Sequence, residues 1–98
     1  MDFDKKQVLD AILKNKMYSD EFEHNLEDSR TTFACKKYEI ESELYNIIIE
    51  FEEEAYWNDV DEYVSQNVKV VWLSVIDFDG REWEHLFDYD EIEFSVDY

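Results

Sequence analysis

Basic residues are scarce in the second part of this chain, and this scarcity says more about its function than any motif does. The 98 residues include 27 acids and nine bases, which give a formal net charge of −18. Residues 1–37 are nearly balanced, with eight acids and seven bases, whereas residues 38–98 hold nineteen acids and only Lys69 and Arg81 as bases. Because phosphates are bound mainly by lysine and arginine, the sequence argues against direct binding of nucleic acid.

Glycine, cysteine and long apolar runs are also nearly absent. One glycine, Gly80, is too few for a phosphate-binding loop, and one cysteine, Cys35, excludes an internal disulfide. The apolar stretch around Cys35 predicts a buried and unreactive thiol. No run of 18 apolar residues occurs, and the N-terminus lacks the basic-then-apolar order of a signal peptide. We therefore expect no membrane association and a cytoplasmic location in a bacterial host cell.

No motif for catalysis or for metal binding is legible. Asp77, Asp79 and Gly80 fit positions 3, 5 and 6 of an EF-hand loop, but Val75 and Leu86 stand at positions 1 and 12, which require ligands. The histidines and the cysteine are not spaced as zinc ligands, and no nucleophile–histidine grouping is present. The sequence therefore predicts no enzyme, no cofactor and no metal site.

Hydrophobic residues make up 45% of the chain, enough to predict that residues 1–98 fold as a single domain. Residues 4–16 have the apolar spacing of a helix, with Asp4 as its N-cap. Ser19 is predicted to cap a second helix, in which apolar residues recur as far as Phe33. Residues 58–66 read as a further short helix capped by Asn58.

Residues 38–56 fit two templates. A helix would place six apolar residues on one stripe: Ile40, Leu44, Ile47, Ile48, Phe51 and Ala55. A strand would instead align the alternating residues Tyr45, Ile47, Ile49 and Phe51 on one side. The helix is favoured because the periodicity runs longer than a typical strand.

From Val68 onward the pattern changes to that of strands. Residues 68–76 predict a buried strand, Asp77–Gly80 a turn, and residues 81–87 a second strand. Residues 91–97 predict a third, because apolar residues alternate there with acids and serine. The expected fold is α+β, with N-terminal helices over about 4–66 packed on a small three-stranded antiparallel β-meander over about 68–97.

The acids and the aromatics among them form the candidate site. Alternate carboxylates on a strand lie roughly 6.6 Å apart, comparable to successive phosphates of a nucleic acid. Tyrosine and tryptophan are favoured anchors of tight interfaces. We predict that one set of residues binds a basic protein surface: Glu50, Glu52, Glu53, Glu54, Trp57, Asp59, Asp61, Glu62, Asp88, Asp90, Glu91, Glu93 and Asp97.

The leading hypothesis is a small acidic nucleic-acid mimic that blocks the basic groove of a CRISPR effector, a restriction enzyme or another nuclease. In size and composition the chain is similar to phage-encoded anti-CRISPR and anti-restriction proteins. It is equally similar to immunity proteins that neutralise nuclease toxins. The alternatives are therefore an immunity protein or antitoxin that binds a basic toxin away from its active site, and an acidic regulatory adaptor. We also consider a homodimer.

Overall fold

One helix, three long strands and two short strands form the described part of the chain. This computed structural model describes residues 3–24, 31–57 and 63–97. The elements are α1 (Lys5–Lys14), β1 (Lys16–Tyr18), β2 (Thr31–Ile40), β3 (Tyr45–Trp57), β4 (Tyr63–Asp77) and β5 (Ser95–Asp97). Single 3-10 turns occur at Ser19–Glu21, Glu84–Leu86 and Tyr89–Glu91. The molecule is a rod that measures 55 × 21 × 20 Å.

Strands β2, β3 and β4 form an antiparallel sheet with β3 in the centre. Ten residues of β2 pair with β3, from Thr31 opposite Tyr56 to Ile40 opposite Ile47. The register of β3 and β4 shifts between Glu50 and Phe51, so that Val71 lies in a β-bulge. The short strands β1 and β5 form a separate parallel pair.

The sheet buries one face, which we call the inner face. Its residues form most of the hydrophobic core: Ala34, Ile40, Tyr45, Ile47, Ile49, Phe51, Val68, Val70, Leu73 and Val75. Helix α1 covers this face with Val8 and Ile12, β1 with Met17, and the C-terminal segment (residues 81–97) with Phe87 and Ile92. All of the covering elements described here therefore lie on one side of the sheet.

Helix α1 is confirmed, with Asp4 as its N-cap. The Asp4 side chain accepts a hydrogen bond from the backbone N–H of Gln7 at 3.2 Å. Its own backbone N–H donates to the hydroxyl of Tyr45 at 2.8 Å, which ties the start of the helix to β3. The apolar spacing predicts a stripe of Val8, Leu9, Ile12 and Leu13; Val8 and Ile12 are buried, whereas Leu9 is half-buried and Leu13 is exposed.

The predicted arrangement of several helices on a C-terminal meander is wrong. Only α1 is an α-helix among the described residues, and the antiparallel sheet runs from Thr31 to Asp77. The favoured helix over 38–56 is replaced by the end of β2, a turn and most of β3. The helix expected from Ser19 is one 3-10 turn followed, after residues 25–30, by β2. Of the predicted helix 58–66, residues 58–62 lie outside the described part and residues 63–66 begin β4.

The C-terminal predictions are mixed. The strand over 68–76 is confirmed as part of β4, and so is the turn, where Gly80 has a φ of 85°. The strand over 81–87 is wrong, because this stretch holds only an isolated bridge at Glu82 and a 3-10 turn. The tail alternates between buried and exposed residues as predicted, but only Ser95–Asp97 is a strand and its partner β1 is parallel.

Candidate partner-binding surface

The opposite side of the sheet, which we call the outer face, carries three of the predicted acids. Glu50, Glu52 and Glu54 occupy alternate positions of β3, so their carboxylates share one side of the central strand. The outer face as described comprises Thr31, Phe33, Cys35, Lys37, Glu39, Asn46, Ile48, Glu50, Glu52, Glu54, Tyr56, Asn67, Lys69, Trp72, Ser74 and Ile76. These residues are exposed or half-buried.

Each of the three carboxylates lies between one residue of β2 and one of β4. Glu50 is flanked by Lys37 and Trp72. The ammonium group of Lys37 lies 5.0 Å from the centroid of the Trp72 ring. A lysine over an aromatic ring is a cation–π contact. The outer face therefore combines carboxylates with an aromatic ring that accepts a cation.

The next two rows repeat this mixture. Glu52 is flanked by Cys35 and Lys69, and the Lys69 ammonium lies 3.6 Å from its Oε1 atom. Glu54 is flanked by Phe33 and Asn67. Phe33 is 59% exposed, the second most exposed large hydrophobic side chain after Phe78 among those described. Sequence reasoning missed these flanking residues, because they join the acids only through strand pairing.

The thiol of Cys35 was expected to be buried, and this prediction is wrong. Cys35 is exposed on the outer face, and its Sγ atom lies 3.9 Å from Oε2 of Glu52. Partial desolvation raises the pKa of the thiol above its ordinary value, and the carboxylates of Glu50 and Glu52 raise it further. Desolvation, and then the acidic neighbours, therefore favour the neutral form of the thiol.

Glu53 is the exception in the predicted run, because its side chain points to the inner face and is completely buried. The Ser19 hydroxyl donates to its Oε2 atom at 2.7 Å, and Nε2 of His24 lies 2.9 Å from Oε1. The other ring nitrogen of His24 lies 2.8 Å from the hydroxyl oxygen of Thr32. Glu53 thus anchors the segment before β2 to the sheet and is not part of a partner-binding surface.

Tyr38 lies near this buried network. Burial raises the pKa of its hydroxyl to about 12, and the charges of Glu21 and Glu53 contribute. The hydroxyl oxygen is buried without a hydrogen-bond partner among the described residues. A phenol with this pKa remains protonated throughout the physiological pH range.

The C-terminal acids of the predicted set lie on the other side of the sheet. Asp88, Asp90, Glu91, Glu93 and Asp97 are all exposed. Their segment covers the inner face, where the ring of Phe94 lies 4.9 Å from that of Phe51. The structure therefore does not join these acids to those of the outer face.

Two of the C-terminal acids have partners within the chain. Glu91 forms an ion pair with Lys5, and Asp97 lies 3.5 Å from Lys16. The hydrogen bond from Lys5 lowers the pKa of Glu91 below its ordinary value, together with the backbone N–H of Asp88 and the charge of Lys5. These two carboxylates help to hold α1 and β1 against the C-terminal segment.

The remaining predicted residues cannot be placed on either surface. Trp57 is the last residue of β3, opposite Tyr63, and its side chain is outside the described part. Asp59, Asp61 and Glu62 also lie outside the described residues.

Within residues 3–24, 31–57 and 63–97, no group of three or more histidine, cysteine or acidic side chains could hold a metal ion. The single helix of that part is too short to cross a membrane. Comparisons with models of known families, with curated proteins and with solved structures give no match for this chain.

Proposed function

We propose that this protein is a small acidic inhibitor that mimics nucleic acid and blocks the basic groove of a partner. The partner class is a nucleic-acid-binding protein such as a CRISPR effector, a restriction enzyme or another nuclease. The site of action is the cytoplasm of a bacterial host cell, where such enzymes meet invading DNA.

The charge density of the rod is the observation that carries this proposal. A net charge of −18 over a length of 55 Å corresponds to one negative charge per about 3 Å. A single nucleic-acid strand carries one charge per about 3.4 Å, and duplex DNA one per about 1.7 Å of its axis. A groove that binds a nucleic-acid backbone therefore meets a comparable density of negative charge along this molecule.

The rigidity of the outer-face acids supports the same proposal. Glu50, Glu52 and Glu54 project from the central strand, which is paired on both sides by β2 and β4. Carboxylates held by a paired strand lose little further backbone freedom when they bind, so their attraction for a basic groove is not offset by the cost of ordering a flexible chain. Long-range attraction would also speed association.

Competition with DNA tests the proposal. Fluorescently labelled duplex DNA is bound to each member of a panel of purified restriction enzymes, nucleases and CRISPR effectors, and the protein is titrated in. A mimic displaces the DNA from its target, and the logarithm of its affinity falls steeply with the logarithm of the salt concentration. Poly-glutamate of equal charge is the control for charge without a fold, and it should displace DNA much less effectively. A complex that contains both DNA and the protein would contradict mimicry.

A second candidate function is an immunity protein that binds a toxin away from its active site. The observation that favours it is the pair of exposed aromatic side chains, Phe33 and Trp72, on either side of the outer-face acids. Buried aromatic anchors dominate compact interfaces. In that case DNA and the protein would bind the toxin together, and Trp72→Ala or Phe33→Ala would weaken binding more than removal of any one carboxylate.

A further inference from the structure

We infer that the partner docks on the outer face and presents arginines spaced about 6–7 Å apart, as along one side of a strand or of a helix. This inference rests on the proposed function, because it names the surface and the chemistry by which a basic partner is held. The partner segment is a protein segment rather than a nucleic acid or a lipid surface.

The exposed aromatics show that the outer face is more than a solvated acidic surface. Phe33 is 59% exposed and Trp72 is 41% exposed, on the two strands that flank β3. Ile48 of β3 adds apolar surface that is only half-buried. Exposed aromatic side chains interleaved with polar ones are favoured in the interfaces that proteins form with each other.

The acids of this face form a regular row. Glu50, Glu52 and Glu54 alternate along β3, which places neighbouring carboxylates roughly 6.8 Å apart on a regular antiparallel strand. Residues opposite each other on paired strands have Cβ atoms about 5 Å apart, so each carboxylate is close to its flanking residues. A partner with cations at i and i+2 of a strand, or at i and i+4 of a helix, matches this spacing.

Two lysines of the chain itself already contact this row of acids and the aromatic ring beside it. Lys37 lies over the ring of Trp72, and Lys69 pairs with Glu52. Among the described residues, no cationic group forms an ion pair with Glu50 or Glu54. The row therefore retains carboxylates for external cations, with an aromatic ring beside each of the two.

Arginine fits these rows better than lysine. Its planar guanidinium group can bond a carboxylate through two N–H groups and can also stack on an aromatic ring. The pairs Glu50–Trp72 and Glu54–Phe33 offer a carboxylate and a ring side by side. A lysine ammonium has neither the paired, coplanar N–H groups that match a carboxylate nor a flat surface that stacks on a ring.

Charge argues against a second copy as the occupant. A symmetric dimer through this face would oppose two rows of carboxylates, on two chains that each carry a net charge of −18. Like charges that face each other across an interface repel each other and disfavour association. The same repulsion disfavours nucleic acid and anionic lipid on this surface.

A titration of the full chain with a designed peptide tests the inference. The probe is a 13-residue peptide with arginine at every second position, compared with the same peptide carrying lysine. Amide signals of the protein are followed by NMR at low salt. We expect the largest shifts at Phe33, Cys35, Glu52, Lys69 and Trp72, and tighter binding of the arginine peptide. Shifts centred on the C-terminal segment would overturn the inference.

Two matched triple variants make the test quantitative. The outer-face variant is Glu50→Gln, Glu52→Gln and Glu54→Gln, and the control is Glu82→Gln, Asp90→Asn and Glu93→Gln, which neutralises three exposed acids of the C-terminal segment. Both change the net charge equally. The outer-face variant should weaken peptide binding by about tenfold or more, and the control by about twofold or less. Equal weakening by the two variants would contradict the inference.

A pair of lysine variants tests the same surface in the opposite direction. The double variant Lys37→Ala, Lys69→Ala removes the two lysines of the outer face. The control Lys6→Ala, Lys14→Ala removes two exposed lysines of α1. The outer-face pair should tighten peptide binding more than the α1 pair. Equal tightening would mean that only the net charge matters, and would overturn a specific docking surface.

The outer-face triple variant also separates this inference from the proposed function. If DNA displacement from a target survives in that variant, the docking inference fails while mimicry stands. If the variant abolishes binding to a partner that binds DNA and the unmodified protein together, mimicry fails and the docking surface stands. The CD spectrum and thermal unfolding of each variant confirm that the fold is retained.

Discussion

Two neighbouring glutamates of β3 have opposite roles. Glu52 lies on the outer face, where its closest ionic contact is an exposed lysine at 3.6 Å. Glu53 lies on the inner face with no exposed surface, between the Ser19 hydroxyl and the His24 ring. Strand alternation separates them, so one run of acids contains both outward-facing carboxylates and a buried structural one. Charge counts alone therefore do not identify a binding site in this chain.

The inner carboxylates are stabilised by specific donors. Burial of a charged or polar group is unfavourable unless hydrogen bonds replace its water. Glu53 has donors from the segment before β2, and Asp77 has donors from the turn after β4. The outer carboxylates remain close to water and need no such donors. Substitution of an inner acid should therefore lower the stability of the fold, whereas substitution of an outer acid should mainly weaken the binding of a partner.

The largest effect is expected from Glu53→Ala. Loss of the carboxylate removes the acceptor of the Ser19 hydroxyl and a buried polar partner of the His24 ring, which should lower the free energy of unfolding by about 3 kcal/mol. The matched neighbour Glu52→Ala should change it by no more than about 0.5 kcal/mol, because surface ion pairs contribute little. Urea denaturation followed by far-UV CD measures both. Similar losses for the two variants would refute the distinction between the faces.

The sequence predicts one part of the fold well and another part poorly. Helix α1 was predictable because its cap and its apolar stripe lie within one short segment. Strand β3 was not, because Ile47, Phe51 and Ala55 satisfy helical and strand spacing equally. Glu53 made the strand harder to recognise, because a charged residue stands at a position of the alternation where a buried apolar residue would be expected. Its hydrogen-bond partners Ser19 and His24 are 34 and 29 residues away, so no local pattern reveals them.

The candidate site was only partly predictable for a related reason. The acids of the outer face were visible in the sequence, but Phe33 and Trp72 come beside them through pairing between β2, β3 and β4. The prediction of a strand over residues 81–87 is wrong because Trp83 packs against the start of the chain instead of continuing a strand. Its Nε1–H donates to Asp77, and its ring stacks on Phe3 at 4.8 Å.

An intermediate effect is expected from Asp77, the second inner carboxylate. The hydrogen bond from Trp83 lowers the pKa of Asp77 below its ordinary value of 3.8, and those from the backbone N–H groups of Arg81 and Asp79 lower it further, as does the charge of Arg81. A lowered pKa in the folded state stabilises the fold above the unfolded pKa, and this contribution disappears as the pH falls through the folded pKa. The stabilisation should therefore be complete near pH 5 and should fade below about pH 4.

Asp77→Asn tests this contribution. The amide NH₂ group cannot accept a hydrogen bond, and the single amide oxygen cannot accept from all three donors at once. We expect a melting temperature several degrees below that of the unmodified protein at pH 6, and a difference that shrinks as the pH is lowered to 2.5. Asp79→Asn, two residues away and exposed, is the control and should melt close to the unmodified protein throughout. A difference for Asp77→Asn that is independent of pH would argue against the ionised carboxylate as the acceptor.

The smallest effect is a change in the reactivity of Cys35, which reports on the outer face without altering the fold. Only the thiolate reacts with iodoacetamide, and the pKa of this thiol is raised by desolvation and then by Glu50 and Glu52. Alkylation should therefore be slow at pH 8 and should accelerate as the pH rises above 9. Glu52→Gln removes one neighbouring charge, so it should speed alkylation at pH 8 by a few-fold. Glu54→Gln, whose flanking residue on β2 is Phe33, should change the rate less. Because the two variants have the same net charge, equal rates would mean that the outer carboxylates act only through the overall charge of the protein and not as an ordered row.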